Sequence, residues 1–207
     1  MAMEFIATIA PAAAEGPVAA LYERQQSAWG FVPNYARVFC HRPEVMARWG
    51  QLLAEIRRPM DERRFELVTF AAAHELRCSA CTLAHGRRLR DFLDDAAIVA
   101  LAAGRPAPGL DELDHAIVRF ARQVAGDASR ATAAQVAQLQ AFGLTDAEVF
   151  DIAAVAAARA FFGKLLDALG VLPDSPFLAL DEALRAGLTV GRPIDRRPVE
   201  RLAPPAG

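Results

Sequence analysis

The chain has 207 residues, 54% of them apolar and 23% charged, with a formal net charge of −2. That length suits one domain, or one domain of two similar halves, and is enough to bury a core without covalent staples. The near-neutral balance and the lack of a basic stripe argue against an electrostatic nucleic-acid binder, and no apolar run reaches the roughly 18–20 residues that span a bilayer.

The first residues, MAMEFIATIAPAAAEG, place Glu4 where a signal peptide needs a basic region, and Pro11 interrupts their apolar run. The expectation is therefore a protein of the reducing cytosol, where structural disulfides are rare. Strand signals are almost absent, and capped helical periodicity recurs along the chain. Pro17 stands near the start of a first helix that closes around Gly30, and GFVPN reads as a turn. Pro43 opens a second helix with Val45, Met46, Trp49, Leu52, Leu53 and Ile56 on one face, and Pro59 ends it. Asp61 caps a third helix to about Arg77, with Phe65, Val68, Ala72 and Leu76 inward.

A fourth helix begins at CSACTLAH, Cys78 to His85, and runs to about Phe92; Asp94 or Asp95 caps a short fifth one ending at Gly104. GRPAPG, residues 104–109, is the best internal boundary and separates a first half of about 17–104 from a second of about 110–187. The next helix runs from about Asp111 to Ala125 with Leu113, Ile117, Phe120 and Val124 inward. Thr132 with Gln135, and Thr145 with Glu148, form capping boxes for the two helices after it. The last of these is long, reaching Leu169 before the stop at Gly170. The tail, residues 188–207, contains GRPIDRRPVERLAPPAG, whose four arginines and four prolines forbid a continuous helix. It reads as disordered or as an extended arm across a neighbouring subunit.

A degenerate repeat runs through this pattern. DERRFELVTFAAA (Asp61 to Ala73) aligns without gaps on DAEVFDIAAVAAA (Asp146 to Ala158), pairing Phe65 with Phe150 and Glu66 with Asp151. In the same register Cys78, Cys81 and His85 fall on Gly163, Leu166 and Gly170. The expectation is a duplicated helical hairpin of which only the first copy carries chemistry; alanine-rich helices also align easily, so chance alignment is the competing explanation.

Cys81 and His85 are four apart on one helix and share a face, with Cys78 one turn earlier at the helix start. There the unpaired N–H groups and the helix dipole favour a thiolate. Glu66 on the preceding helix returns toward that face if the two helices pack antiparallel. The odd count of three cysteines, with a close pair, fits redox or metal chemistry better than a disulfide framework. Lowering a thiol by about 1.5 pH units takes ~2 kcal/mol of differential stabilisation, which a carboxylate-oriented histidine can supply. A second cysteine then traps the oxidised sulfur before over-oxidation.

Glu66, eleven residues, Cys78-x-x-Cys81, three residues, His85: this arrangement resembles the AhpD-type alkylhydroperoxidase core within the carboxymuconolactone decarboxylase-like superfamily. GFVPNYARVFCHRPEVMARW and LTDAEVFDIAAVAAARAFFGKLLDALGVLPD resemble the approach segment and the C-terminal half of its peroxidase-related members. The resemblance implies an all-α, AhpD-like helical bundle, homo-oligomeric assembly, no metal or haem, and a disulfide-cycling peroxidase. It also implies the roles: Cys81 attacks the peroxide, Cys78 resolves the sulfenic acid, and Glu66 with His85 relays the proton. A dithiol donor of lipoyl or thioredoxin-like type then resets the pair. Dipole reasoning alone favours Cys78 as the attacking thiol. Some members carry a histidine just before the second cysteine; here that position is Ala80, and the relay has one fewer participant.

Three other readings compete. Cys-x-x-Cys with a histidine suits zinc, but a closed site needs a fourth ligand, for which His74 is the near candidate. Decarboxylase chemistry belongs to the superfamily, yet those members generally do without the cysteine pair. A non-catalytic redox-responsive oligomer or small-molecule binder would use the disulfide as a switch. Cys40 reads as a buried small apolar residue, His41 as a turn residue and His115 as solvated. Trp29, Phe31 and Tyr35 read as core before pocket, and Phe161 and Phe162 as core or subunit interface.

Overall fold

Caps written in the sequence set most helix ends in the computed structural model, which describes residues 4–202. The helices are α1 (Gly16–Trp29), α2 (Asn34–Val38), α3 (Pro43–Arg57), α4 (Glu62–Glu75), α5 (Ser79–Leu89), α6 (Asp95–Ala102), α7 (Glu112–Asp127), α8 (Ala133–Ala141), α9 (Asp146–Ala168) and α10 (Glu182–Leu188). Both expected capping boxes form, Thr132 with Gln135 and Thr145 with Glu148, and Asp111 with Asp114 makes a third. Each spares a helix start about 1 kcal/mol. Gly30 and Gly170 end α1 and α9 in the left-handed conformation that glycine adopts without a Cβ clash. Among the described residues the extended pairing is a single bridge, Val32 with Glu200, and no helix is long and apolar enough to cross a membrane. The architecture is all-α.

The centre of the molecule is α4. Every residue from Phe65 to Ala73 is buried, because α5, α7 and α9 all pack against it. FELVTFAAA is apolar around its whole circumference, as a helix enclosed on all sides must be, and Glu66 is its one ionisable exception. Phe70, Leu67, Leu83, Ile117 and Ile152 fill the core with under 2% exposure, each contributing roughly 1.5–3 kcal/mol of burial. A second core, built from Tyr22, Phe39, Trp49 and Phe162, encloses Cys40, Cys78 and Cys81.

Three expectations are modified. Val45 and Leu52 are exposed although they lie on the apolar face of α3, because α9 meets that helix through Trp49 and leaves the flank open beside exposed Phe161. The second copy of the repeat is one unbroken 23-residue helix, not a hairpin. The first copy breaks because Arg77 turns left-handed, φ 58°, and the second has no such turn. The tail runs back over its own chain. Val32 N–H donates to the Glu200 carbonyl at 2.9 Å, Arg37 pairs with Glu200 at 2.8 Å, and Leu202 N–H reaches Gln26 Oε1 at 2.6 Å. Residues 203–207, part of the tail read from sequence, lie outside the described residues.

Candidate active site

A local backbone device places the cysteines. Helix α4 ends in a Schellman motif: Cys78 N–H bonds the Ala73 carbonyl at 3.0 Å and Arg77 N–H bonds that of His74 at 3.0 Å. The left-handed position, normally glycine, is Arg77, at a cost of about 1 kcal/mol. The motif hands the chain straight to α5, whose N-cap is Cys78. Thr82 then bonds the Cys78 carbonyl through both its N–H and its hydroxyl, each at 2.9 Å. Cys78 is fully buried, Cys81 is 5% exposed, and both are free thiols.

Glu66 does return to this face. Its Oε2 lies 2.7 Å from His85 Nδ1. A carboxylate inside a fully enclosed helix must be paired to be tolerated, and this pairing holds Glu66 below the usual carboxylate range against the opposing effect of burial. Burial and the nearby Arg159 cation keep His85 below its ordinary value. The imidazole is thus neutral at pH 7, with Nδ1–H donated to Glu66 and Nε2 left as the acceptor.

The residue that sequence reasoning missed is Arg159, on α9. It is 6% exposed, its guanidinium lies over the Trp49 ring at 5.7 Å, and no carboxylate pairs with it as a salt bridge among the described residues. Its charge instead faces Cys81. The hydrogen bond from Cys78 S–H, then Arg159, lowers the Cys81 thiol against strong burial. Cys78 moves the opposite way, pushed up because its proton is held by the bond to Cys81 and because it is buried. Of the two sulfurs, Cys81 is thus the one whose thiolate the surroundings favour. This reverses the dipole argument: an N-terminal position favours a thiolate by a fraction of a unit charge, whereas Arg159 presents a whole one. The sequence signal was a lone arginine in AAVAAARAFF, at the position that repeats His74.

A cavity of about 370 Å³ opens onto Glu66, His85 and Arg159, with Trp29, Leu53 and Phe65 as its apolar walls and Arg57 and Arg88 among its lining. Trp29 is therefore a pocket residue, while Phe31 is core and Tyr35 packs edge-on against Phe162 at 5.5 Å. A larger opening of about 500 Å³, lined by Arg105, His115, Arg119 and Arg122, holds none of the four site groups. His74 sits by Phe70 and Arg122, away from that lining, and burial with the Arg122 charge lowers it to about 4. Cys40 is buried in the second core, beside Tyr22. Among the described residues no three His, Cys, Asp or Glu side chains converge as metal ligands would.

No family model and no curated protein matches the sequence. Solved structures do. An AhpD-core, peroxidase-related protein from Ralstonia eutropha JMP134 superposes with TM-score 0.76 at 21% identity, over 87% of this chain and 97% of that one. A peroxidase-related protein from Silicibacter sp. TM1040 gives 0.66 at 18% identity, over 84% and 97%. The debrominase Bmp8, solved with 2,3,4-tribromopyrrole, gives 0.63 at 14% identity, over 82% and 88%, so the same architecture hosts more than one activity. The order, burial and packing of its helices give this chain the AhpD-like all-α fold.

Proposed function

We propose that this chain is a thiol peroxidase that reduces hydroperoxides through a Cys78–Cys81 dithiol–disulfide cycle. The observation that carries the reading is the 2.7 Å bond between Glu66 and His85, one helical turn from Cys81, whose thiol Cys78 and the Arg159 charge lower against burial. Thiolate, not thiol, is the nucleophile.

In the first step the Cys81 sulfur attacks the terminal peroxide oxygen. The S–O bond forms, the O–O bond breaks, and Cys81 becomes a sulfenic acid. The departing alkoxide takes a proton relayed from solvent through His85 Nε2, while Glu66 fixes the ring through Nδ1. In the second step Cys78 attacks the Cys81 sulfur, a disulfide forms and water leaves. Two electrons have passed from the dithiol to the peroxide, and a small dithiol or a lipoyl or thioredoxin-like donor returns them by exchange. The apolar cavity suits an organic hydroperoxide. Its arginines stabilise the negative charge developing on the leaving oxygen.

The test is peroxide consumption over many turnovers with a dithiol donor, together with a count of free thiols before and after one equivalent of peroxide. Loss of two thiols and abolition of turnover in Cys81→Ser are expected. Retention of both thiols, or turnover surviving in Cys81→Ser, sinks the proposal.

A further inference from the structure

The proposed cycle leaves one proton without a path. Cys78 must lose its proton to close the disulfide, yet it is fully buried, and Glu66 and His85 line a cavity that Cys78 does not reach. In the reduced state Cys81 is the neighbour that retains the Cys78 proton. Once Cys81 is a sulfenic acid that acceptor is gone.

A second acceptor stands on α9. Cys78 lies against Gly163, whose missing Cβ would come within 3.3 Å of the Cys78 Cβ and 3.6 Å of its Sγ. One turn further along the same face is Asp167, so the contact of Gly163 with Cys78 brings its carboxylate to the Cys78 side of α9. The Asp167 side chain is 31% exposed, so a proton it takes up can pass on to solvent. Its place is fixed by the C-terminal segment, which lies on the Cys-x-x-Cys turn itself. Gly191 N–H donates to Ser79 Oγ at 2.8 Å and Arg77 Nε donates to the Val190 carbonyl at 3.2 Å. At Gly191 a Cβ would overlap the Arg77 carbonyl oxygen, so only glycine permits this approach. The next residue, Arg192, donates to the Asp167 carbonyl at 2.6 Å and sets its Nε 3.6 Å from the carboxylate, while its guanidinium lies over Phe5 at 4.9 Å.

Resting on the dithiol reading above, we propose that Asp167 is the proton acceptor for Cys78 when the disulfide closes, and that Arg192 of the tail positions it. Cys78 sulfur bonds Cys81 sulfur as its proton passes to Asp167. The Cys81 S–O bond breaks, and the departing hydroxide takes a proton from the solvent-facing carboxyl to leave as water. Full thiolate charge on the buried Cys78 sulfur is avoided, which is why a neighbouring base matters there.

The experiment separates the two half-reactions without peroxide. Methyl methanethiosulfonate converts the more reactive thiol to a methyl disulfide; attack by the second thiol then expels methanethiol, and quenched intact-mass samples follow both steps. In Asp167→Asn the first step should stay within about twofold, while closure slows roughly 100-fold, the range of a lost general base. Asp167→Glu should restore part of the rate. Arg192→Gln should slow closure by about tenfold with the first step unchanged, and it keeps the proposal testable should Asp167→Asn fail to fold. Closure at the native rate in folded Asp167→Asn overturns the proposal, as does equal slowing of both steps or a first adduct on Cys78. A native chain that closes this disulfide with the expected Asp167 dependence, yet consumes no peroxide, sinks the peroxidase reading and leaves the Asp167 assignment standing.

Discussion

Replacing Arg159 by methionine removes a charge while nearly keeping the length of the side chain. Arg159 and Cys81 are both buried, so little solvent screening separates them. Two unit charges about 4 Å apart at an effective dielectric of about 20 interact by ~4 kcal/mol, which is about 3 pH units of thiol stabilisation. The hydrogen bond from Cys78 is the larger support for the thiolate and survives the substitution. A rise of about one to two units in the Cys81 titration midpoint is therefore expected, read by ultraviolet thiolate absorbance in a Cys40→Ala background that keeps Cys78. Each unit removes about tenfold of the thiolate below the midpoint, so the single-turnover peroxide reaction should slow by up to roughly 10- to 100-fold on the acid side of the native midpoint, and by less above it. The loss should be recovered at alkaline pH, where the thiol ionises without help. Stability should fall by no more than the thiolate stabilisation removed, about 1–3 kcal/mol at alkaline pH and less at acid pH, because the Cys81 sulfur left without Arg159 can take up a proton. An unchanged midpoint with an unchanged rate refutes the electrostatic role. A large drop in melting temperature would instead assign Arg159 to packing on Trp49.

Glu66→Gln keeps the volume and an acceptor for His85 Nδ1–H but loses the charge that raises the histidine; His85 should titrate lower still by NMR and the peroxide step should slow about 10-fold or more, and an upward shift would contradict the pairing. Phe65→Ala should cost about 3–5 kcal/mol in denaturant unfolding, whereas Phe150→Ala should change stability by less than about 0.5 kcal/mol, because Phe65 is 3% exposed and its repeat equivalent 68%. Equal effects would show that the two copies pack alike. His74 is held near 4 when folded and near 6.5 when unfolded, so the unfolded state binds more protons between those values and stability is lost as pH falls through them. His74→Gln should flatten that part of the stability–pH curve, and a difference curve without slope there removes the assignment.

Much of the architecture is legible in the sequence because it is local. Capping boxes, left-handed glycines and a period near 3.6 act within one turn, and they give both later capping boxes, the end of α9 and the all-α class. The spacing of Cys78, Cys81 and His85 is legible for the same reason, since it lies within one helix. The pairing of Glu66 with His85 was half legible. A lone carboxylate in FELVTFAAA demands a partner, but which partner depends on α4 and α5 turning back on one another at the left-handed Arg77. Val45 and Leu52 show the limit of periodicity, which marks an apolar face without saying whether another helix covers it.

Tertiary structure alone decided the electrostatics. Arg159 and Asp167 are 78 and 86 residues from Cys81 along the chain, and nothing local requires α9 to lay one beside Cys81 and the other beside Cys78. The tail is of the same kind, for its arginines and prolines forbid a helix but cannot specify that Gly191 docks on Ser79 or that Arg192 reaches Asp167. The sequence by itself determined the helices and the spacing of the four candidate site groups, because backbone hydrogen bonds and side-chain spacing are short-range. Which sulfur is favoured as the thiolate depends on packing that brings a buried cation across from another helix, since charge stabilisation depends on distance in space and on the exclusion of water.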